Sequence, residues 1–562
     1  MDVSSQGSGT ESDISEQFVG GSRWHVRGGR RRGGRGRRVT LRARSSRGGR
    51  GRRGRSRVIT RLSSRKGHGR QIDLGSSSSR TAHLSAATIA VLNEIGSLVW
   101  KNEEPQSYTQ QYSQTPGPTS PDVTGDSTPV EIFCLFFSDD VWDLIKEETN
   151  RYAGTCITNN SSGRLWNDTT VEELKAFVGI LILMGIVRLP RLELYWSTNF
   201  PLISTPGISN IMPKTKFEQL FRFFHLNDNN NQVPYGHNGH DKLFKVRKLL
   251  NLLCPLFESE FQMHQSCTID EAMIPFKGRL RFKQYMKDKP TKWGIKVFVL
   301  SDAPTGYVKR IQVYTGKGLD TGASDVGLCT KVVLDLMEGF DHMGVQLYTD
   351  NFYTSPPLYY RFYKHQGINA CGTVRPHRVG FPSELIIKAS EVNRGMYQYL
   401  SNGPLLACSW VDKRSTFFLS IMHIGERVGN PTVKRRQADG NQADIPCPPC
   451  LPDYQKYMRG VDRGDQLESY YNVGRKSRKW WKRIFFFCLE VCILNSFCME
   501  KMVKSDEHQQ RGRKKRDMLS FRLELAKQLI GSFSTRCRSA GRPRSVEHLQ
   551  LDRLNANLGH WP

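Results

Sequence analysis

The run Lys292-Trp293-Gly294-Ile295-Lys296-Val297-Phe298-Val299-Leu300 is followed by the turn residues Asp302-Ala303-Pro304-Thr305-Gly306 and a second β-prone run over residues 307–314. Two such runs around a Pro/Gly turn dictate an antiparallel hairpin. A two-stranded ribbon is unstable alone in water, so other segments must extend it. Three are available. Cys267-Thr268-Ile269-Asp270 is expected to be a short strand ending at its aspartate, and Val345-Gln346-Leu347-Tyr348-Thr349-Asp350 a second one ending the same way. Residues 367–374 read as a further short strand. Between them, residues 327–340 have helical periodicity, and Ser355-Pro356 opens a helix that runs to Gln366. Strand, hairpin, helix, strand and helix describe an α/β domain with a mixed sheet.

The flanks are different in texture. Ser138-Asp139-Asp140 is a helix cap, and Thr170-Val171-Glu172-Glu173 is a capping box ahead of Leu174, Phe177, Ile180, Leu181 and Met184. Residues 245–257 form another helix, so 129–265 is expected to be a helical domain, without a helix-turn-helix signature. Residues 377–451 hold short β-prone runs such as Thr416-Phe417-Phe418-Leu419-Ser420-Ile421-Met422 between Pro-rich turns, and read as an inserted module. The sheet domain then falls into two parts, 266–376 and 452–468. A helical basic segment over 469–535 and a basic tail over 536–562 close the chain.

Charge sets the partners. The net charge is +29, and residues 23–70 carry nineteen Arg and one Lys with no Asp or Glu. Removing those twenty charges leaves about +9 on the rest, so the basic character extends beyond the Arg/Gly run. Such a field favours polyanions, nucleic acid first. The Arg/Gly run has nothing to bury, and residues 1–128 are expected to be a disordered tail and linker. Its chemistry suits non-specific contact with DNA or RNA. Met1 is followed by polar residues, so no secretory signal is expected. The apolar runs 176–187 and 484–498 read as buried helices: the first is short for a bilayer and the second contains Glu490 and Asn495. No membrane partner is expected. Thirteen cysteines without framework spacing suggest free thiols in a reducing compartment. Cys447-Pro448-Pro449-Cys450 is a lone CxxC with no second pair, since Cys254, Cys267 and Cys408 are not at ligand spacing; it reads as a loop feature.

The chemistry lies in carboxylates. Asp270 and Asp350 sit at expected strand ends, where α/β sheets build sites. Asp462 and Asp465, in Arg459-Gly460-Val461-Asp462-Arg463-Gly464-Asp465-Gln466, share one face if that stretch is helical. Carboxylates brought together repel unless cations lie between them, and Mg²⁺ or Mn²⁺ is the cation such ligands prefer. Two ions held there would activate a water or a 3′-hydroxyl against a phosphodiester. Taken singly, each aspartate is equally a cap, a turn former or a surface ion pair, and spacing alone does not decide.

Five motifs in order add a resemblance. They are Thr268-Ile269-Asp270-Glu271 with Phe276-Lys277-Gly278; Lys289-Pro290-Thr291-Lys292-Trp293-Gly294-Ile295-Lys296; Thr349-Asp350-Asn351-Phe352-Tyr353-Thr354-Ser355; Gly372-Thr373-Val374-Arg375; and Gly460-Val461-Asp462-Arg463-Gly464-Asp465-Gln466. Together they resemble the piggyBac transposase family, and more closely its vertebrate transposable element-derived members, over roughly residues 130–535. The resemblance implies an RNase H-like core of the DDE/D type, split by an insertion domain and flanked by helical DNA-binding and dimerisation elements. It implies Asp270, Asp350 and Asp462 as the catalytic aspartates and metal ligands, with Asp465 as an additional acidic ligand. It further implies two Mg²⁺ or Mn²⁺ ions, a nuclear homodimer, and cut-and-paste transposition of transposon ends at TTAA targets through hairpin intermediates. Family members usually close with a Cys/His-rich zinc domain that reads the element ends. Only Cys537 follows Cys498 here, so that reader is expected to be missing and autonomous site-specific transposition is in question.

A second motif serves DNA. Arg475-Lys476-Ser477-Arg478-Lys479-Trp480-Trp481-Lys482-Arg483 follows the Asp462/Asp465 pair by ten residues. Its cations are expected to hold backbone phosphates, with one Trp turned inward to the helix that follows. Lys292, with Lys289 and Arg279, is placed in the same groove.

Overall fold

The computed structural model describes residues 99–534 except 107, 159–165, 200–202, 288, 317–326, 427–430, 438–439 and 505–515, together with residues 90, 93 and 94. The Arg/Gly run, the cluster 511–515 and the tail 536–562 lie outside the described residues. In chain order the strands are β1 (Gly117–Pro118), β2 (Phe261–Gln262), β3 (Ser266–Pro275), β4 (Gln284–Tyr285), β5 (Trp293–Asp302), β6 (Val308–Val313), β7 (Gln346–Thr349), β8 (Asn369–Thr373), β9 (Tyr397–Asn402), β10 (Leu405–Val411), β11 (Ser415–Ser420), β12 (Thr432–Arg436) and β13 (Gln442–Pro446).

The hairpin read from residues 292–314 is β5 and β6, and it seeds a nine-stranded sheet of order β4-β5-β3-β7-β8-β11-β10-β9, with β6 also on β5. β3 runs antiparallel to β5 along its length, from Cys267 opposite Asp302 to Pro275 opposite Gly294. β3–β7 and β7–β8 are parallel, and the remaining pairs are antiparallel. Every residue of β5 from Gly294 onward is buried, as expected of a strand with both faces covered.

One cover is the helix Trp480–Val503, buried on all sides from Ile484 to Glu500. Its polar residues are each answered. Asn495 accepts from Val308 N (2.8 Å) and donates to Val308 O (2.9 Å). Glu490 pairs with Arg522 at 2.6 Å, with both side chains essentially inaccessible. The helices Pro129–Phe136 and Phe244–Ser259 pack against it, and Asp139–Thr158, Val171–Ile186 and Lys214–Phe223 join the same core. Thr128 and Glu131 cap the first reciprocally, and Thr170 caps the third. No helix of the described residues is long and apolar enough to cross a membrane.

Two expectations change. Asp270 does not close a strand: β3 continues through it to Pro275, because β5 offers an antiparallel partner for that whole length. From residue 99, the stretch read as linker lies along the body. Lys101 pairs with Ser401, the Trp100 indole donates to Gly380 O, Tyr112 donates to Met263 O, and β1 pairs with β2. A few aromatic anchors and backbone pairs hold a Pro/Ser-rich segment without any apolar periodicity. Residues 377–451, read as an inserted module, add to the central sheet. β11 pairs with the free edge of β8, so β9–β11 prolong the central sheet, and only β12 and β13 stand apart. An unpaired strand edge is a ready template for such addition.

Candidate active site

Where β7 stops, two carboxylates meet. Ile269 opposite Thr349 is the last pair of the parallel ladder, and Asp270 and Asp350 are the next residues of the two segments. The chain turns at Asp350, whose Oδ1 accepts from Phe352 N at 2.9 Å. That turn is braced from beneath. Thr349 Oγ1 hydrogen bonds Thr354 Oγ1 (2.8 Å) and the Tyr359 hydroxyl (2.9 Å). A Cβ on Gly372 of β8 would lie 2.3 Å from Thr354 Oγ1 and 2.5 Å from Thr349 O, so only glycine admits this packing. Arg378 closes the turn by donating to Thr354 O, Asn351 O and Phe352 O at 2.7–3.1 Å.

Asp462 and Asp465 lie on the helix Gly460–Tyr470. Its start presses on the sheet. A Cβ on Gly460 would be 2.5 Å from Thr268 Cγ2 and 3.0 Å from Ala303 Cα. Thr268 Oγ1 also donates to Met458 O at 3.3 Å. The glycine thus lets the helix approach β3 and β5, which brings the Asp462/Asp465 face toward Asp270. Arg463 turns away from that face, to Pro304 O.

Lys289 stands among these carboxylates. Its Nζ is 3.8 Å from Asp270 Oδ2 and donates to Glu271 O at 3.1 Å. Burial alone would lower its proton affinity, but Asp270, Glu271, Asp462 and Asp465 outweigh burial and raise it. Asp270 is pushed up to about 8, mainly by burial, against the pull of Lys289 and with Glu271 and Asp350 adding repulsion. Asp465 is pushed up to about 6 by burial and Asp462, again opposed by Lys289. Asp350 is raised by burial and by Glu271. The pair Asp270-Glu271 divides its labour because neighbours in a strand face opposite sides. Glu271 accepts from the Tyr353 hydroxyl at 2.8 Å and pairs with Lys296 at 3.5 Å, and these hold it ionised against burial. A cleft lined by Glu271, Ile274, Lys289, Asp465, Glu468 and Arg483 opens beside Asp270. As the side chains stand, no group of three or more His, Cys, Asp or Glu among the described residues is arranged to hold a metal ion.

The basic residues separate into two sets. Lys476, Arg478, Lys479 and Lys292 are exposed. Arg475 lies over the Tyr195 ring at 5.4 Å and donates to its hydroxyl. Lys482 does not face solvent as expected, whereas Arg483 is half-buried and lines the cleft beside Asp270. Lys482 is buried, donates to Phe221 O and Arg222 O, and is lowered to about 7 by burial and by Lys479. Arg483 donates to Pro275 O and Arg475 O at 3.1 and 3.0 Å. The cause for Lys482 is the helix it begins, which packs on neighbouring segments, so this cation satisfies their carbonyls. Trp481 is the inward Trp, stacked on Phe224, while Trp480 meets Phe282 edge-on. Sequence reasoning missed Glu271 as a buried partner, the bracing by Arg378, and Lys289 as the hub of the carboxylates. Position in the Lys289-Pro290-Thr291-Lys292 motif was the one available signal for Lys289.

A family profile described as Transposase IS4 matches residues 128–497. A human protein named piggyBac transposable element-derived protein 3 is 29% identical over 383 residues, which cover 66% of this chain and 61% of that protein. The human piggyBac transposable element-derived protein 5 is 26% identical over 435 residues, 75% of this chain and 79% of that protein. The chain therefore spans about three fifths of the first relative and about four fifths of the second. Among solved structures, a piggyBac transposase synaptic complex with hairpin DNA superposes with a TM-score of 0.63 at 23% identity, covering 78% of this chain and 87% of that one.

Proposed function

Because the chain belongs to the IS4 transposase family, as a piggyBac-type member, we propose that it cleaves and rejoins DNA phosphodiesters in cut-and-paste transposition, with a divalent metal. The observation that carries this reading is the Ile269–Thr349 register, which delivers Asp270 and Asp350 side by side beneath the Asp462/Asp465 helix. The order β6-β5-β3-β7-β8, antiparallel and then parallel, supports an RNase H-like core, with residues 377–451 as the insertion.

The donor set suits a hard dication. Asp270, Asp350 and Asp465 are oxygen donors whose proton affinity burial and mutual repulsion have raised, a cost that a cation relieves. Asp270, Asp350 and Asp462, with Asp465, would hold Mg²⁺ or Mn²⁺, two ions by the family resemblance, which when bound activates a water or 3′-hydroxyl and offsets charge on the leaving oxygen. Lys289 supplies a fixed cation where the phosphate would enter and lowers the proton affinity of Asp270 against the rise that burial causes. Arg378 and Gly372 hold the Asp350 turn in place. Lys476, Arg478, Lys479 and Lys292 would take backbone phosphates, which position DNA without reading it. The same proposal has the chain acting in the nucleus as a homodimer, with RNA as a further polyanion for the Arg/Gly run.

The test is excision of a marked element from a reporter by the native chain and by Asp270→Ala, Asp350→Ala and Asp462→Ala. Activity in the native chain alone supports catalysis; equal activity in all four refutes it. A second reading is DNA binding without chemistry, which the exposed Lys476, Arg478, Lys479 and Lys292 would serve without the carboxylates. DNA binding with no excision by any of the four selects that reading.

A further inference from the structure

Residues 276–293 carry seven Lys or Arg against one Asp. Within them β4 pairs antiparallel with the start of β5, and Tyr285 is the cross-strand partner of Trp293. Residues directly opposed in this way share a face of the sheet. The two rings meet at 4.7 Å with their planes 47° apart. β4 is a terminal strand of the central sheet, and Tyr285 and Trp293 are left 53% and 45% exposed. Lys283 Nζ stands over the Trp293 ring at 5.1 Å, and Arg281 over the exposed Tyr235 ring at 3.6 Å. Phe282, between these two cations, is buried and meets Trp480 edge-on, which ties this loop to the basic run that ends at Arg483.

The aromatic pair shares a face with Asp270. Asp270 opposes Val299, and Val299, Val297, Ile295 and Trp293 alternate along β5 onto one face. Gly294, next to Trp293, opposes Pro275, five residues beyond Asp270 on β3; at about 3.4 Å per residue the rings stand roughly 20 Å along the strand from Asp270. Between Tyr285 and Trp293 the chain folds back toward the carboxylates. Met286 N donates to Lys292 O at 2.9 Å, and Lys289 Nζ comes within 3.8 Å of Asp270 Oδ2. One loop thus offers a cation to the carboxylates and an open aromatic pair beyond them.

Exposed aromatics set among cations bind unpaired nucleotides: a ring takes the base by stacking, and a cation takes its phosphate. Bases inside a duplex are already stacked on one another and cannot reach such a ring. We propose that Tyr285 and Trp293 form a stacking platform for an unpaired stretch of the DNA strand, a few nucleotides from the phosphate that enters at Lys289. The inference rests on the proposed DNA cleavage at Asp270, Asp350 and Asp462, and adds to it a preference for DNA whose strands are parted beside the cut. Tyr285 or Trp293 receives the base, and Lys283 the phosphate attached to it. Every base has a face to stack, so the platform favours unpaired over paired DNA without reading sequence.

The test compares two labelled DNAs, a blunt duplex and the same duplex with a short oligothymidine extension, in binding to full-length protein in chelator. The native chain should bind the extended DNA more tightly. Trp293→Ala should lose about tenfold on that DNA and little on the blunt one, while Trp293→Phe, which keeps a ring, should retain most of the difference. A misfolded variant would weaken both DNAs, so a second reading uses the native protein alone. With iodouracil in place of thymine, irradiation should cross-link the extension to Tyr285 or Trp293, located by peptide mass spectrometry. Equal native affinity for the two DNAs overturns the platform, as does a folded Trp293→Ala with the native preference, or cross-links confined to other residues. Binding in chelator does not involve cleavage, so the two readings fail separately. A native chain that prefers the extension but never cuts DNA when Mg²⁺ is supplied refutes the catalytic reading alone. One that cuts without that preference refutes the platform alone.

Discussion

Ile269 and Thr349 face each other as the last pair of the parallel ladder between β3 and β7, and in each segment the next residue is an aspartate. The relationship depends on register, not on strand ends. β3 carries on to Pro275 while β7 stops, so Asp270 is held in a ladder on one side and is open to Asp350 on the other.

Gly460 controls whether the third and fourth carboxylates join them. In Gly460→Ala the new methyl would meet Thr268 and Ala303 at 2.5–3.0 Å. We expect a stability cost of about 1–3 kcal/mol by thermal unfolding. DNA cleavage should fall further than the loss of folded protein explains, because the helix Gly460–Tyr470 must back away from β3. Wild-type cleavage in Gly460→Ala would show that Asp462 is not placed by this approach of helix to sheet.

The metal-free site should be strained by pH. Folded Asp270 keeps its proton up to about 8, whereas the unfolded carboxyl loses it near pH 4. In that window the folded state binds a proton that the unfolded state does not, so stability falls as pH rises. Asp270→Asn should flatten that slope and raise Tm above native at pH 8, with little gain at pH 4, in chelator. Lys289 lowers the proton affinity of both Asp270 and Asp465. Lys289→Met should therefore move the rise of Mg²⁺-supported cleavage to higher pH, and Lys289→Arg should not. A native pH–stability curve that Asp270→Asn leaves unchanged would count against the buried, proton-holding carboxyl.

Much of this site was legible and some was not, for identifiable reasons. The hairpin β5–β6 and the segments bearing Asp270, Asp350 and Asp462 announce themselves through β-branched runs, turn residues and motif order. The extent of β3 did not, because Ala272, Met273 and Pro275 carry little strand signal and their pairing with β5 is a tertiary fact. Lys289 looked like one cation among several, since only the fold surrounds it with carboxylates. Lys482 looks like a phosphate ligand in sequence because charge is visible there and the carbonyls that take up the charge are not.

The two sets of cations should part experimentally. Lys476→Ala/Arg478→Ala/Lys479→Ala should weaken DNA binding and reduce the slope of log affinity against log salt by about 0.9 for each phosphate that is no longer neutralised. Lys482→Ala should leave that slope alone and lower Tm instead, since it strips the donor from Phe221 O and Arg222 O. Equal salt slopes in the triple variant and the native protein would move the DNA path elsewhere.

Arg522 ties the helix Met518–Ile530 to the long central helix through Glu490, and both side chains are sealed from water. Arg522→Met leaves a buried carboxylate without its cation and should cost about 3–5 kcal/mol in chemical denaturation. Glu490→Gln in the same chain should recover part of it, because the charge left uncompensated is then gone. A loss in the double variant as large as in Arg522→Met would place the cost in packing.

The most direct measurement is nicking of labelled transposon-end DNA by purified full-length protein, with Mg²⁺ or with chelator, for native, Asp270→Ala, Asp350→Ala and Asp462→Ala, with DNA binding followed in parallel. Mg²⁺-dependent nicking by the native protein is expected, with at least a hundredfold loss, on the order of 3 kcal/mol, in each variant and binding retained. Native-level nicking by Asp270→Ala or Asp350→Ala would contradict it.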